Sequence, residues 1–305
     1  MRIRVLGSGA GGGVPQWNCG CKICQAVRAG SPNVRARTQD SIAASAKEGV
    51  WVLCNASPDI RRQIEDTPDL HPNAPRHSPI AAVVLTNGDL DHVVGLFTLR
   101  ESYPFAVYAT EAVWRGLVDH NAMMRTLQRF EGHVTWRPLV LGAETAVLDS
   151  KGDPTGIHVT ARAIQGKIPI HLDGIASNTP EQNVGLWLTD DAGAKVAYVS
   201  AAAKLDEVAA HDSDVLLLDG TFYSSDELSR PGLSKSRAED MAHLPIGDPG
   251  GTLEQTSRLR AHRRIYTHVN NTNPILFDDS TERRAVEAAG WEVAYDGMKI
   301  DFVVS

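Results

Sequence analysis

Three short apolar runs each end on a carboxylate or an imidazole, and that pattern limits the fold more than any other feature of the chain. Ile80 to Leu85 leads into Thr86-Asn87-Gly88-Asp89-Leu90-Asp91-His92, Leu216-Leu217-Leu218 into Asp219, and Ile265-Tyr266-Thr267 into His268. Short apolar runs bounded by polar turns read as buried strands. Polar side chains directly after such strands mark the edge at which layered α/β sheets place their ligands.

The rest of the chain alternates strand-like and helix-like stretches. Met1 to Gly7 reads as a first strand, followed by a loop over the Gly-rich run Gly7 to Gly13. Strands are expected at Ser41–Ala46, Val50–Cys54 and Phe105–Ala109, and strands with turns from Val134 to Val199. Helices are expected from Pro58 to about Glu65, from Gly95, over Thr110–Gln128, and at Leu205–Ala210, Gly251–His262 and Thr281–Gly290. Thr221 to Pro249 is a long loop, and loops of that length are usually functional. Glu292–Tyr295 and Lys299–Val304 close the chain as strands. With 305 residues, 42% of them hydrophobic, the chain can bury a large core. Strand-rich blocks in each half point to an α/β fold over 1–305 as one domain: an αββα sandwich of two mixed sheets flanked by helices.

No apolar run approaches the roughly 20 residues of a membrane span. The N-terminus lacks a signal-like apolar segment, so the expected compartment is the cytoplasm. A net charge of −7 without a long basic run argues against nucleic acid as a partner.

Of the four cysteines, Cys19, Cys21 and Cys24 form C-x-C-x-x-C. This spacing is too tight for an ordinary disulfide framework and suits three thiolates on one soft ion, with Zn2+ in a structural role. A fourth ligand, His or Asn, must come from elsewhere. Cys54 sits within an apolar strand and reads as a core thiol.

Asp89, Asp91 and His92 admit two readings, a solvated turn capping a helix or a metal site. Asp219 and His268, at the ends of two further strands, favour the metal. Two histidines with one or two carboxylates and open positions form the ligand set of non-haem Fe(II) oxygen chemistry. His243 in the long loop is a candidate substrate contact, proton donor or metal ligand. His171 is a weak candidate for a further ligand. The other histidines, His120 among them, read as structural or solvated.

The turn Asn87 to His92 resembles the metallo-β-lactamase motif H-x-H-x-D-H, with Asn87 and Asp89 standing where the first two histidines would be. Val14-Pro15-Gln16-Trp17-Asn18-Cys19, Asn55-Ala56-Ser57-Pro58-Asp59, Met241-Ala242-His243-Leu244-Pro245-Ile246-Gly247 and Thr267-His268-Val269-Asn270-Asn271-Thr272-Asn273-Pro274 are similar to the coenzyme PQQ synthesis protein B family, over essentially the whole chain. The resemblance implies a metallo-β-lactamase-like fold and a role in making pyrroloquinoline quinone (PQQ). The activity it implies is iron- and O2-dependent hydroxylation of a tyrosine ring in a peptide-derived precursor, with other proteins of the pathway as candidate partners. Fe2+ would lie on Asp91, His92, His268 and Asp219, with Asp89 or His243 moving protons. Related C-x-C-x-x-C phosphodiesterases carry a structural zinc whose fourth ligand is a His; Asn271 stands at that position. Two alternatives remain: a soluble carrier of PQQ or a precursor, and a metal-dependent hydrolase of the same fold.

Overall fold

In the computed structural model of the chain, all residues are described except 102, 120 and 303–305. His120 and the last residues of the expected closing strand therefore lie outside the described residues. Fourteen strands make two sheets of seven. They are β1 (Arg2–Gly7), β2 (Ser41–Lys47), β3 (Val50–Cys54), β4 (Ile80–Val84), β5 (Phe105–Ala109), β6 (Val134–Pro138) and β7 (Glu144–Leu148), then β8 (Pro154–Ala163), β9 (Val184–Asp190), β10 (Lys195–Val199), β11 (Ser213–Asp219), β12 (Ala261–Thr267), β13 (Trp291–Val293) and β14 (Lys299–Asp301). The first sheet runs β14-β1-β2-β3-β4-β5-β6 and the second β13-β12-β11-β10-β9-β8-β7. Each is antiparallel at one end and parallel at the other: β3 to β6 are parallel neighbours, as are β10 to β13.

Strand alternation builds the layers. In β3, Val52 and Cys54 point into the core between the sheets, whereas Trp51 and Leu53 face outward. In β11, Val215 and Leu217 point inward, and Leu216 and Leu218 join a second outer cluster. Both faces are therefore apolar, and these strands read as nearly continuous hydrophobic runs. Short helices cover the outer faces: α1 (Lys22–Arg28), α2 (Ile60–Glu65), α3 (Leu90–Val93), α4 (Glu111–Asp119), α5 (Asp206–Ala210) and α6 (Thr281–Ala288). This is the expected αββα sandwich, with Cys54 in its core. No helix among the described residues is long and apolar enough to cross a membrane.

Two helical expectations fail. Gly251–His262 forms turns and one 3-10 turn at Thr256–Arg258, and β12 already begins at Ala261. Tertiary contacts override the local pattern here. Gly251 is wedged where a Cβ would lie 2.5 Å from the Pro245 carbonyl, and the Thr252 hydroxyl meets the Tyr266 hydroxyl at 2.6 Å. The helix expected from Gly95 shrinks to a 3-10 turn, Val94–Phe97. A Cβ on Gly95 would lie 2.1 Å from the Ser57 carbonyl, so this segment is set by its packing on the loop before α2.

One polar chain crosses the apolar interior. Tyr198 on β10 and Thr267 on β12 both donate their hydroxyls to the buried carboxylate of Asp40, just before β2. Asn55 donates to Tyr198 at 3.3 Å and accepts from the Thr86 amide at 3.0 Å. The sheets are thus tied at the ends of the strands that carry the ligand candidates. Burial pushes the Asp40 carboxyl up to about 6, although His268 and the two hydroxyls favour its charge. An Asp40→Ala substitution leaves two buried hydroxyls without their acceptor and should cost about 2–4 kcal/mol. Urea denaturation measures it, and a loss under about 0.5 kcal/mol, the size of an ordinary surface change, would rule the tie out as a stabilising element.

The long loop is fastened by a second, half-buried carboxylate. Glu227 accepts from the Tyr223 amide at 2.7 Å and from the Thr272 hydroxyl at 2.5 Å. Burial raises its carboxyl to about 7, against the pull of those donors, from an ordinary 4.5. Between these values the folded chain holds a proton that the unfolded chain has released, so stability falls as pH rises through that window. Glu227→Gln should flatten the dependence of unfolding free energy on pH between 4.5 and 7. An unchanged slope would remove Glu227 as its source.

Candidate metal centre

The three ligand-bearing strand ends meet in one cavity of about 300 Å3, lined by Asp89, Asp91, His92, His243 and His268 among others. Asp91 and His92 ride on α3 after β4, Asp219 ends β11, and His268 follows β12. His268 has a left-handed backbone, φ 54°, which a residue with a Cβ rarely adopts. It is clamped on both sides: the Gly220 amide donates to the Thr267 carbonyl at 2.8 Å, and the Val269 amide to the Ser8 carbonyl at 2.9 Å. The Gly-rich loop closes the cavity from above. At Gly11 a Cβ would come within 3.3 Å of an Asp91 oxygen.

Ligand-type atoms form two groups that share His268: Asp91, His92 and His268, and Asp219, His243 and His268, each with its atoms within 4.8 Å of one another. The hydrogen bonds fix the state of His92. The Asp89 amide donates to Asn87 Oδ1 at 3.0 Å, which identifies that atom as the oxygen. The same oxygen lies 2.8 Å from His92 Nδ1 and must accept its proton. His92 Nε2 then carries a lone pair. It is buried without a hydrogen-bond partner, 3.6 Å from Asp91 Oδ2. Burial lowers the His92 pKa, disfavouring the protonated ring despite the nearby Asp91. A buried nitrogen lone pair beside a carboxylate lacks only a cation, and the backing of Nδ1 by an oxygen is the arrangement that orients metal-bound histidines. The donor set fits a divalent ion.

His268 follows the same logic. Thr221 has one hydroxyl proton, which Asp219 Oδ1 accepts at 2.6 Å, so His268 Nδ1 donates to the Thr221 oxygen at 2.8 Å. Its Nε2 faces Asp91 Oδ2 at 3.2 Å. Burial alone would lower the His268 pKa, but Asp91, Asp40 and Asp219 together lift it to about 9. Conversely, the two histidines hold the Asp91 carboxyl well below its ordinary range in spite of burial. A proton or a metal ion therefore sits naturally between His268 and Asp91. Asp219 is well supplied with donors: it accepts from the Ala202 and Thr221 amides, the Thr221 hydroxyl and His243 Nδ1, the last at 2.7 Å.

Among the sequence candidates, the structure brings Asp89, Asp91, His92, His243 and His268 to the wall of one cavity, with Asp219 behind it against His243. It brings His243 closer than its loop position suggested: its ring stacks on that of His268 with centroids 5.7 Å apart. His171 belongs to neither ligand group among the described residues, and its ring nitrogens lack partners. Sequence reasoning missed Thr86, Asn183, Thr221 and Asp40. Asn183 bridges to Asn87 across the two sheets, its Oδ1 3.2 Å from Asn87 Nδ2. The one available signal was the placement of Thr86, Asn87 and Thr221 beside the strand-end ligands.

The sulfurs of Cys19, Cys21 and Cys24 lie together at the start of α1, within 4.8 Å of one another. The Asn271 side-chain amide faces them, 3.3 Å from Cys24 Sγ and 3.7 Å from Cys21 Sγ. Burial and the neighbouring thiols push Cys21 up to about 11, whereas for Cys19 the Cys21 amide and the other thiols outweigh burial and lower it. Three thiols so close cannot all ionise without a cation among them, which is the condition a tetrahedral soft-metal site meets.

Comparison with known proteins identifies the fold and the family. A family model described as a beta-lactamase superfamily domain matches residues 50–269. Coenzyme PQQ synthesis protein B of Methylorubrum populi is 42% identical over 99% of this chain and 100% of its own length. The protein of the same name from Methylobacterium sp. is 44% identical over 98% and 99%. The crystal structure of Zn(2+)-bound PqqB from Methylobacterium extorquens superposes with a TM-score of 0.91 at 40% identity, covering 99% of this chain and 100% of that one. A diphosphatase from the PhnP family shares the fold, with a TM-score of 0.64 at 20% identity over 99% and 98% of the two chains. The expected metallo-β-lactamase fold holds, and the chain belongs to the coenzyme PQQ synthesis protein B family of PQQ biosynthesis.

Proposed function

We propose that this chain hydroxylates the tyrosine ring of a peptide-derived PQQ precursor, using Fe2+ and O2, and that the cysteine cluster holds a structural Zn2+. The observation that carries the reading is the bare, buried His92 Nε2 beside Asp91 and His268. Asp91, His92 and His268 form a two-histidine, one-carboxylate face that leaves the cavity side open, the set suited to non-haem iron. When bound, iron supplies the electron transfers that let O2 react with a phenol ring.

The chain's own residues do the rest. Asn87 and Thr86 hold the His92 proton on Nδ1, so Nε2 stays free for the ion. Asp219 holds the Thr221 hydroxyl and the His243 ring, and through Thr221 it orients His268. His243, stacked on His268 and lining the cavity, is placed to carry a proton to or from the ring oxygen. Asp89, on the cavity wall, is the other proton carrier. Phe222 and Met241 give the ring apolar contact.

Mass spectrometry of a tyrosine-containing substrate tests the chemistry. The substrate is incubated in air with iron-loaded protein and ascorbate as the two-electron reductant, beside a zinc-loaded control. One oxygen atom added to the ring, only with iron, is the expected result. An unaltered but retained substrate would point to a carrier, and a cleaved one to a hydrolase.

His92→Ala and His268→Ala should each abolish binding of the ion in the cavity while the zinc on the cysteines stays. Elemental analysis of the purified variants reads this directly. Retention of both ions would refute the ligand set, and loss of both together would mark general unfolding.

A further inference from the structure

The cavity wall carries one ammonium group. Lys167 lines the cavity, is exposed, and makes no hydrogen bond or ion pair among the described residues. Its backbone is not that of a loose surface residue. At Gly166 a Cβ would lie 2.7 Å from Asn183 Nδ2, and the Gln165 carbonyl accepts from the Ala203 amide at 3.0 Å. Two residues further on, the Pro169 ring lies 3.3 Å from where a Cβ on Gly88 would be. The segment is therefore pinned on one side to Asn183 and Ala203, at the ends of β9 and β10, and on the other to the turn that carries Asp89 to His92, so Lys167 has a fixed origin at the cavity mouth. Asp91 and Asp219 are committed elsewhere, Asp91 to the two histidines and Asp219 to Thr221, His243 and the Ala202 amide, while Asp89 shares the cavity wall with Lys167 but forms no ion pair with it among the described residues. Beside Lys167 stands Ile170, 82% exposed, and across the cavity stand Met241 and Phe222. Ile170, Met241 and Phe222 together give the cavity lining an apolar side beside the ammonium.

A free ammonium next to an apolar wall describes the ligand it would select. We propose that Lys167 is a specificity-determining residue that pairs with a carboxylate of the substrate, while Ile170 flanks the substrate's apolar body. The substrate then enters with its ring toward His92 and His268 and its carboxylate at the mouth. This rests on the reading of the cavity as the reaction site for a phenol.

The test is binding, which needs no turnover. Calorimetry on zinc-loaded and metal-free protein compares 3-(4-hydroxyphenyl)propionate with its primary amide, which has the same ring and shape without the charge. Wild type should bind the acid about fivefold more tightly than the amide, the size of one partly screened ion pair, in both metal states, and the preference should shrink in high salt. Lys167→Met should abolish the preference and leave amide binding and thermal stability unchanged, whereas Lys167→Arg should retain it. Equal binding of acid and amide by wild type overturns the proposal alone, because the ring still binds. A preference that persists in Lys167→Met, or that appears only with zinc present, also overturns it by assigning the carboxylate to another group or to the ion. Binding of neither probe overturns it together with the reading of the cavity.

Discussion

Two buried carboxylates and one half-buried one surround a single imidazole, and the architecture of both sheets converges on that arrangement. Asp40 and Asp219 are almost fully buried, Asp91 is 18% exposed, and all three act on His268. Anions brought this close inside a protein must be hydrogen-bonded, protonated or matched by a cation. Asp40 is matched by two hydroxyls, and Asp219 by amides, a hydroxyl and His243. Asp91 faces the two imidazoles, and the one on His92 presents a lone pair rather than a proton. The deficit of positive charge is thus localised on the cavity side of Asp91, and a metal ion there would complete the electrostatics. The strained backbone of His268 fits the same account, since the clamping bonds from Gly220 and Val269 hold in place a conformation that its own side chain disfavours.

Much of this was legible in the sequence because strand ends are punctuated. An apolar run followed at once by Asp or His announces both the strand and the polar edge, and Asp91, His92, Asp219 and His268 were found that way. The cysteine cluster was legible from spacing alone. Other parts were not. Asp40 follows a stretch with no apolar pattern, and its importance comes from Tyr198 and Thr267, which are distant in sequence and become neighbours only when the sheets pack. His243 lies in a long loop whose path is set by Glu227 on Thr272 and by Asp219 on the His243 ring, so its position is a tertiary fact. Asn87 looked like a missing ligand. In the folded chain its oxygen fixes the proton of His92, a role that hydrogen-bond geometry reveals and residue type does not. The helix expected over Gly251–His262 failed for the converse reason: its local pattern was adequate, but Thr252 and Gly251 are held by β12 and the Pro245 turn.

The thiol cluster and the cavity are joined by a short piece of chain. His268 and Asn271 are three residues apart, one at the cavity and the other against the sulfurs. The strand-like contact of Val269 with Ser8 and Ala10 fixes the chain between them and begins the Gly-rich loop that passes over Asp91. That loop then runs through Val14, paired with Arg37, to Cys19. The closed circuit goes from His268 through Asn271 to the thiols and back along the Gly-rich loop to Asp91. An ion on the thiols would brace both the segment that carries His268 and the Gly-rich loop that packs on Asp91. A structural ion there would take part in the geometry of the cavity through the backbone it braces rather than through contact with substrate. The core fixes the sheets and, through Val14, Val269, Ile275 and Leu276, anchors these loops; a cross-link at the thiols would tighten them to the tolerance that ligand geometry requires.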